Sequence, residues 1–464
     1  MSPLPFLFLL VILIPFQVIS QNHPTADERN VLLKLKQQLG NPPSLQSWNS
    51  TSSPCNWPEI FCTGNSVTEI FLQNKNITQK IPATICDLKN LTKLDLAYNF
   101  IPGEFPRQLY NCTKLQVLNL SQNYFVGSIP DDIDRILGLQ YIDLGANNFS
   151  GDIPPAIGRL SELQVLHLYQ NEFNGTFPVE IGDLLNLQVL GLAYNDKFVP
   201  AKIPVEFGKL KNLTTLWFTE ANLIGEIPDS FNNLSSLEIL DLSRNHLEGK
   251  IPGGVFTFKN LTKLYLFQNR LSGEIPETLE TLNLVEIDLS MNNLTGSVPE
   301  DFGKLQNLQQ LSLYSNRLSG EIPSSIGLIP NLKAFRVFDN NLSGVLPPEL
   351  GHHSKLKVVQ VSGKFKKQSK AERGKYLSQL ATAVYDGTGD AREHIMKMTN
   401  MAMKLRDLDT KISDSHLVWQ VFESLSSKFD VLKTSYKAQE AEWTLDQMTA
   451  IVVQKEETIR KSKK

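Results

Sequence analysis

Three observations on the 464-residue sequence predict an α/β repeat solenoid followed by a C-terminal all-α segment. Prolines of Ile/Phe/Val/Leu-Pro pairs recur from Pro82 to Pro347 at a spacing of 24, with one interval of 26 and one of 23. Around them runs Leu-x-x-Leu-x-Leu-x-x-Asn, as in Leu115, Leu118, Leu120 and Asn123, or Leu308, Leu311, Leu313 and Asn316. Both patterns stop near Gly363: all four cysteines, all 25 prolines and 24 of the 27 glycines lie before residue 364, and five of the seven methionines after it. The chain divides accordingly into a leader at 1–20, an N-terminal cap at 21–64, a solenoid of about 12–13 repeats at 65–362, a junction with a helix at 363–384 and a helical domain at 385–464. A hydrophobic content of 41 % supports packed cores rather than disorder. The net charge of -3 hides an asymmetry, since 364–464 carries 19 Lys+Arg against 14 Asp+Glu and the remainder 26 against 34.

The leader is an apolar run, Leu4-Pro5-Phe6-Leu7-Phe8-Leu9-Leu10-Val11-Ile12-Leu13-Ile14, followed by Val18-Ile19-Ser20, the pattern of a secretory signal although no Lys or Arg precedes it. It is short for a membrane span. No later stretch reads as one, so the mature chain is expected to be soluble and secreted. Twelve Asn-x-Ser/Thr acceptors agree: Asn49, Asn76, Asn90, Asn111, Asn119, Asn148, Asn174, Asn212, Asn233, Asn260, Asn293 and Asn341, with none after Gly363. The bland alternative is that Asn-Leu-Thr/Ser arises from repeat chemistry alone.

In the cap, Asp27 to Leu39 has helical periodicity, followed by Trp48 and Cys55-Asn56-Trp57-Pro58-Glu59-Ile60-Phe61-Cys62. In a secreted chain Cys55 and Cys62 are expected to form a disulfide; two thiols with no neighbouring His or third Cys make a poor metal site. Cys86 and Cys112 sit in adjacent repeats, and core thiols are the preferred reading over a disulfide.

Each fixed repeat position has a physical reason. Leu-x-Leu alternation marks a short strand with one face inward. Asn123, Asn147, Asn171, Asn245, Asn269, Asn292, Asn316 and Asn340 are placed to stack, their amides bonding loop backbone that would otherwise cost about 1–3 kcal/mol per buried unsatisfied group. Gly and Pro in Gly-x-Ile-Pro permit and fix the turn. The remainder, as in Ile157-Gly158-Arg159-Leu160, forms a short helical turn on the convex side. No repeat buries its apolar edge alone, so stacking builds the core; the pattern is a leucine-rich repeat. At about 4.8 Å per strand the concave strip is roughly 55 Å long, enough for an extended peptide of about a dozen residues.

These features, with Trp48 and the Cys55 to Cys62 cap, resemble the ectodomains of plant leucine-rich-repeat receptor kinases, whose 24-residue repeats form a right-handed superhelix. Leu216-Trp217-Phe218-Thr219-Glu220-Ala221-Asn222-Leu223-Ile224-Gly225, where Ala221 replaces the stacking Asn, and the preceding 26-residue unit are similar to the HAESA and HAESA-like branch. The resemblance implies a small secreted peptide bound along the concave face, a co-receptor kinase as second partner, a plasma-membrane location for the full-length family and no cofactor. Outward strand positions supply their own candidates for peptide contact: His167, Tyr169, Trp217, Thr219, Glu220, Tyr265, Phe267, Asp288, Ser312, Tyr314, Arg336 and also Phe338. Aromatics give large contact area at low entropic cost; the alternative is that they pack only on one another. The branch's Arg-x-Arg carboxylate clamp is not matched, since the sequence offers only Arg336-Val337-Phe338. The final strand, Leu356 to Val361, is followed by Lys364 at the expected Asn, so the solenoid is expected to end mid-repeat, uncapped, with an exposed and aggregation-prone apolar edge.

The tail has four expected helices, Ser369–Val384, Asp390–Ile412, Asp414–Lys433 and Thr444–Arg460, with capping boxes at Asp390/Glu393 and Thr444/Gln447. Met396, Met398, Met401 and Met403 are expected in helical core. Tyr385-Asp386-Gly387-Thr388, Arg392-Glu393-His394-Ile395-Met396-Lys397-Met398, Leu425-Ser426-Ser427-Lys428-Phe429 and Trp443-Thr444-Leu445 resemble the Gag region of plant Copia-type retrotransposons. That family continues into a zinc knuckle; with no Cys after Cys112, no nucleic-acid partner and no metal are expected.

No phosphate loop, kinase Lys or catalytic Asp motif is present, so the chain is expected to be no enzyme, although the parent receptors carry a Ser/Thr kinase. The alternatives to a receptor ectodomain are a secreted polygalacturonase-inhibitor-like protein and a non-functional chimeric product with a Gag-like tail.

Overall fold

The computed structural model describes residues 26–347, 350–351, 354–365, 370–386, 389–407, 412–437 and 443–461. The expected leader at 1–20 lies outside the described residues, as does His352-His353.

Helix α1 (Ala26–Gln38) opens the cap with Asp27 and Glu28 in its first turn, where they suit the helix dipole. Its buried stripe of Leu32 and Leu35, with Leu39 just beyond, covers the first turn of the solenoid. Trp48 and Trp57 stack at 5.2 Å between ring centroids. The Trp48 indole donates to Glu59 at 3.0 Å, and Lys75 pairs with the other Glu59 oxygen at 2.6 Å. Burial alone would raise the Glu59 carboxyl, but these hydrogen bonds hold it below its ordinary value. Cys55 and Cys62 form a disulfide.

A fourteen-stranded sheet lines the concave face: β1 (Ile60–Thr63), β2 (Ser66–Phe71), β3 (Lys93–Asp95), β4 (Val117–Asn119), β5 (Tyr141–Asp143), β6 (Val165–His167), β7 (Val189–Gly191), β8 (Thr215–Trp217), β9 (Ile239–Asp241), β10 (Lys263–Tyr265), β11 (Glu286–Asp288), β12 (Gln310–Ser312), β13 (Ala334–Arg336) and β14 (Val358–Gln360). β1 and β2 are antiparallel, and every later pair is parallel. The middle residue of each three-residue strand points inward, as with Leu94, Leu118, Ile142 and Leu166. Opposite the sheet lie short 3-10 turns entered through proline, such as Pro154 before Pro155–Arg159 and Pro178 before Val179–Asp183. Between the two layers runs a phenylalanine spine in which Phe125 stacks on Phe149 and Phe173 on Phe198, each at 5.9 Å.

The asparagines stack as their position requires. Asn123 Nδ2 donates to Leu96 O at 2.9 Å in the preceding turn and to Leu120 O at 3.1 Å in its own, while its Oδ1 accepts the Ile101 amide. Asn99 and Asn195 join the ladder in the same way. At Ala221 the rung is missing, and the neighbouring Asn222 donates to Phe198 O at 2.7 Å instead.

Cys86 and Cys112 are bonded, so the core-thiol expectation is corrected. Cys112 holds the repeat position of Leu88, whereas the repeat equivalent of Cys86 is Tyr110. The two cysteines are therefore not at equivalent positions, but the 3-10 turn Ala83–Asp87 brings Cys86 over the next turn, with a Cα separation of 4.6 Å.

The tail contains α2 (Lys370–Ala381), α3 (Ala391–Asp407), α4 (Asp414–Ser424), α5 (Asp430–Lys437) and α6 (Leu445–Lys461). The single helix expected over Asp414–Lys433 is broken: Leu425 and Ser426 are extended, and Leu425 forms a bridge to Tyr385, whose amide donates to Ser424 O at 2.8 Å. Thr444 and Gln447 form the reciprocal box, at 3.0 and 3.2 Å. Asp390 accepts the Arg392 amide at 2.8 Å, and the Ala391 amide goes to Glu456. Of the methionines, Met398 is buried in the helical core beside Ile395, Ala402, Leu417 and Phe422, and Met401 packs against it; Met396 and Met403 are outside that core.

The solenoid runs one short strand past the expected end: Lys364–Phe365 pairs with Asn341–Gly344, and Lys364 lies opposite Ser343, 21 residues back, the same interval as Ser272 to Asn293. Ser362 Oγ accepts the Asp339 amide at 2.9 Å. Beyond this short turn, α3 approaches β14 to within 8 Å between Cα atoms.

Candidate functional site

Parallel pairing in constant register lays the third residue of each strand in one row along the concave face: Asp95, Asn119, Asp143, His167, Gly191, Trp217, Asp241, Tyr265, Asp288, Ser312, Arg336 and Gln360. Thus His167, Trp217, Tyr265, Asp288, Ser312 and Arg336 share a row. Tyr169, Thr219, Phe267, Tyr314 and Phe338 follow two residues later, just past the strand ends. Glu220 sits in the following turn with φ 56° and pairs with Arg244 at 3.3 Å, at the margin of the strip.

The candidates gather in two groups. In the middle of the sheet, His167 contacts Tyr141 and Tyr169 edge-on, with centroids 6.3 and 5.7 Å apart, and Tyr169 and Tyr194 flank Trp217 at 5.4 and 5.8 Å. The rings do pack on one another across turns. They remain only half-buried, so the same cluster offers an apolar surface. Two glycines make room for it. A Cβ on Gly145 would clash with the Tyr169 ring, and one on Gly191 would lie 2.6 Å from His167 Nδ1 and 3.5 Å from the Trp217 ring.

Electrostatically the cluster is neutral. Burial pushes His167 down to about 4, and its Nδ1 is buried with no hydrogen-bond partner among the described residues. The neutral imidazole therefore leaves this nitrogen enclosed against Gly191. Burial pushes the Asp143 carboxyl up to about 7, even though the Gly145 amide donates to it at 2.8 Å. Burial, and then the neighbouring Asp143, raise the Tyr141 hydroxyl above its ordinary range.

The second group is polar. Trp217 Nε1 donates to Thr219 at 3.1 Å, Ser243 links Thr219 to Asp241, and Tyr265 donates to Glu286. Burial raises Asp241 and Asp288, while Arg336 pulls Asp288 back down. Tyr314 and Phe338 stack face to face at 4.6 Å beyond them. No group of three or more His, Cys, Asp or Glu placed to hold a metal ion occurs among the described residues. An extended surface of rings, hydroxyls and charges suits recognition.

Sequence reasoning missed Tyr141, Tyr194, Asp143, Asp241, Gly145 and Gly191. The signal was available: Asp143, Gly191 and Asp241 hold the same position relative to the stacking Asn as Asp288 does. A search for conspicuous side chains passes over a glycine whose contribution is space.

Comparison with known families agrees with this geometry. The leucine rich repeat N-terminal domain matches residues 25–63, and leucine rich repeats match 89–149, 211–271, 283–305 and 307–329. The gag-polypeptide of LTR copia-type matches 359–464. The chain is a leucine-rich-repeat solenoid, similar to plant receptor ectodomains, joined to a copia-type gag-like segment.

The ectodomain is 67 % identical over 225 residues to Receptor-like protein 52 of Arabidopsis thaliana, covering 48 % of this chain and 27 % of that protein. The Arabidopsis receptor kinase HAESA, solved in complex with the peptide hormone IDA and the co-receptor SERK1, superposes with a TM-score of 0.71 at 36 % identity over 74 % of this chain and 58 % of that one. A plant peptide hormone receptor, RGFR1 in complex with RGF2, gives 0.58 at 36 % over 61 % and 45 %. The chain thus spans about a quarter of its curated relative and just over half of the HAESA ectodomain. The gag-like match begins at Val359, inside β14, and includes the short Lys364–Phe365 strand.

Proposed function

We propose that residues 65–362 bind a small secreted peptide along the concave face, outside the cell, as a non-enzymatic recognition surface. The observation that carries this reading is the half-buried aromatic cluster around His167, Tyr169 and Trp217, held open by Gly145 and Gly191 and continued by the polar row of Asp288, Ser312 and Arg336. The peptide's apolar residues would lie on the rings, and its polar groups would meet the half-buried Asp288 and Arg336. The structural relatives solved with peptide hormones support the ligand class, and the one solved with SERK1 supports a co-receptor ectodomain as second partner. Two disulfides fit the extracellular compartment.

Calorimetric titration of the full chain with hydroxyproline-containing plant peptides, and in parallel with a fungal polygalacturonase, tests the proposal. Saturable binding to a peptide is expected, and Gly191→Leu, which fills the gap between His167 and Trp217, is expected to weaken it at least tenfold. Binding to the enzyme alone would replace this reading with that of an inhibitor.

A further inference from the structure

We infer that the gag-like helical segment acts as the C-terminal cap of the solenoid, docking a second face of α3 onto the concave side of β14. As the last strand of the sheet, β14 has no following strand to shelter its outward side chains, so these should be the most exposed in the row. The opposite holds. Val358 is 9 % exposed and its outward neighbour Ala334 in β13 is 6 % exposed, although the equivalent Gln310 one strand earlier is exposed and Glu286 and Lys263 are half-buried. Val358 and Ala334 are outside the repeat core, so something other than the solenoid interior covers them. The element that reaches β14 is α3.

The helix shows the matching anomaly. One face of α3 (Ala391, Ile395, Met398, Ala402, Leu405) enters the helical core. A second stripe, Met396, Thr399, Asn400 and Met403, follows the i, i+3, i+4, i+7 spacing of a single helix face and is half-buried, yet Met396 and Met403 pack in neither core. Solvent-facing positions of the same helix, Arg392, Glu393, Lys397 and Arg406, are exposed. Unbranched methionines adapt to an irregular partner surface, which fits a junction between a solenoid and a segment of different origin. The site of docking suits a cap: the row narrows from rings and charges to Ala334 and Val358, small enough for a helix to lie close. One consequence is that the strip open to a ligand ends near Arg336.

Hydrogen exchange on the full-length chain tests the cap from both sides of the contact. Met396→Lys/Met403→Lys on the helix and, separately, Val358→Arg on the strand are each expected to raise exchange of the β13 and β14 amides at least tenfold, with α4 and the strands β3 to β8 unchanged. Unchanged protection of β13 and β14 in Val358→Arg would overturn the inference. So would a response to the methionine pair that appears only together with loss of protection in α4, since that would report unfolding of the tail and not release of a cap.

Discussion

The two ends of the solenoid are closed by different physics. At the N-terminal end a helix, a stacked Trp pair, a Glu59–Lys75 ion pair and two disulfides hold the first turns. At the other end no cysteine is available, and the cover is an apolar contact made by a helix that also belongs to another core. A repeat array needs both edges sheltered, but one end can be bolted and the other merely covered. The lesson is that shelter at an end is independent of how strongly it is fixed.

The largest expected effect comes from breaking the bolted end. Trp48→Ala removes a fully buried ring and the donor to Glu59, and should cost about 3–5 kcal/mol. Exchange protection should fall in β1 to β3 while β13 and β14 keep theirs; loss at both ends would show that the array unfolds as one unit. Next, Cys86→Ser with Cys112→Ser opens a loop of 26 residues, for which chain entropy predicts about 3 kcal/mol in equilibrium denaturation of the oxidised against the mutant chain. A loss well under 1 kcal/mol would mean the neighbouring turns already confine the chain.

The middle of the arc, fixed at neither end, should respond to pH. The folded chain keeps the Asp143 proton up to about 7, whereas an unfolded Asp releases it near 3.8. Between those values the native state binds more protons, so this group's contribution to stability falls as pH rises and stays low above about 7. His167 works in the opposite sense: its folded value of about 4 lies below the ordinary 6.5, so its contribution rises as pH climbs through that window. Asp143→Asn, which can still accept the Gly145 amide, is therefore expected to gain on the parent chain between pH 4 and pH 8, and His167→Gln to gain on it between pH 7 and pH 4. Melting temperatures across that range check both signs. The smallest effect concerns glycans. Asn119 lies on the concave row with its amide donating to Asp95 and its oxygen accepting from Ser121. Glycopeptide mapping is expected to find Asn119 empty while the exposed Asn76, Asn148 and Asn212 are occupied.

The repeat was legible because its register is written in positions that tolerate little else: inward leucines, stacking asparagines and turn prolines recur at one period, and the sheet follows from them. The cap was legible through Trp48 and the close cysteine pair. The Cys86–Cys112 bond was not, because the repeat assigns the two residues inequivalent places and only the path of the 3-10 turn brings them together. The break at Leu425 was hidden for a similar reason: an apolar run at helical spacing does not show that its last residue is drawn into a bridge with Tyr385. The concave row was half legible. Large side chains were visible, but buried acids and glycine gaps take meaning only from what lies in the next turn. The covering of β14 was not legible at all, since it depends on two segments with no shared pattern.

One irregularity described above reaches beyond its own turn. Between β7 and β8 the interval is 26 residues, and Ala221 leaves the asparagine ladder without a rung. In a crystal this would be a stacking fault, a plane where the lattice continues but its bonds do not all cross. Strain travelling along the arc would concentrate there, making Trp217 and its neighbours the place where one half of the coil can flex against the other.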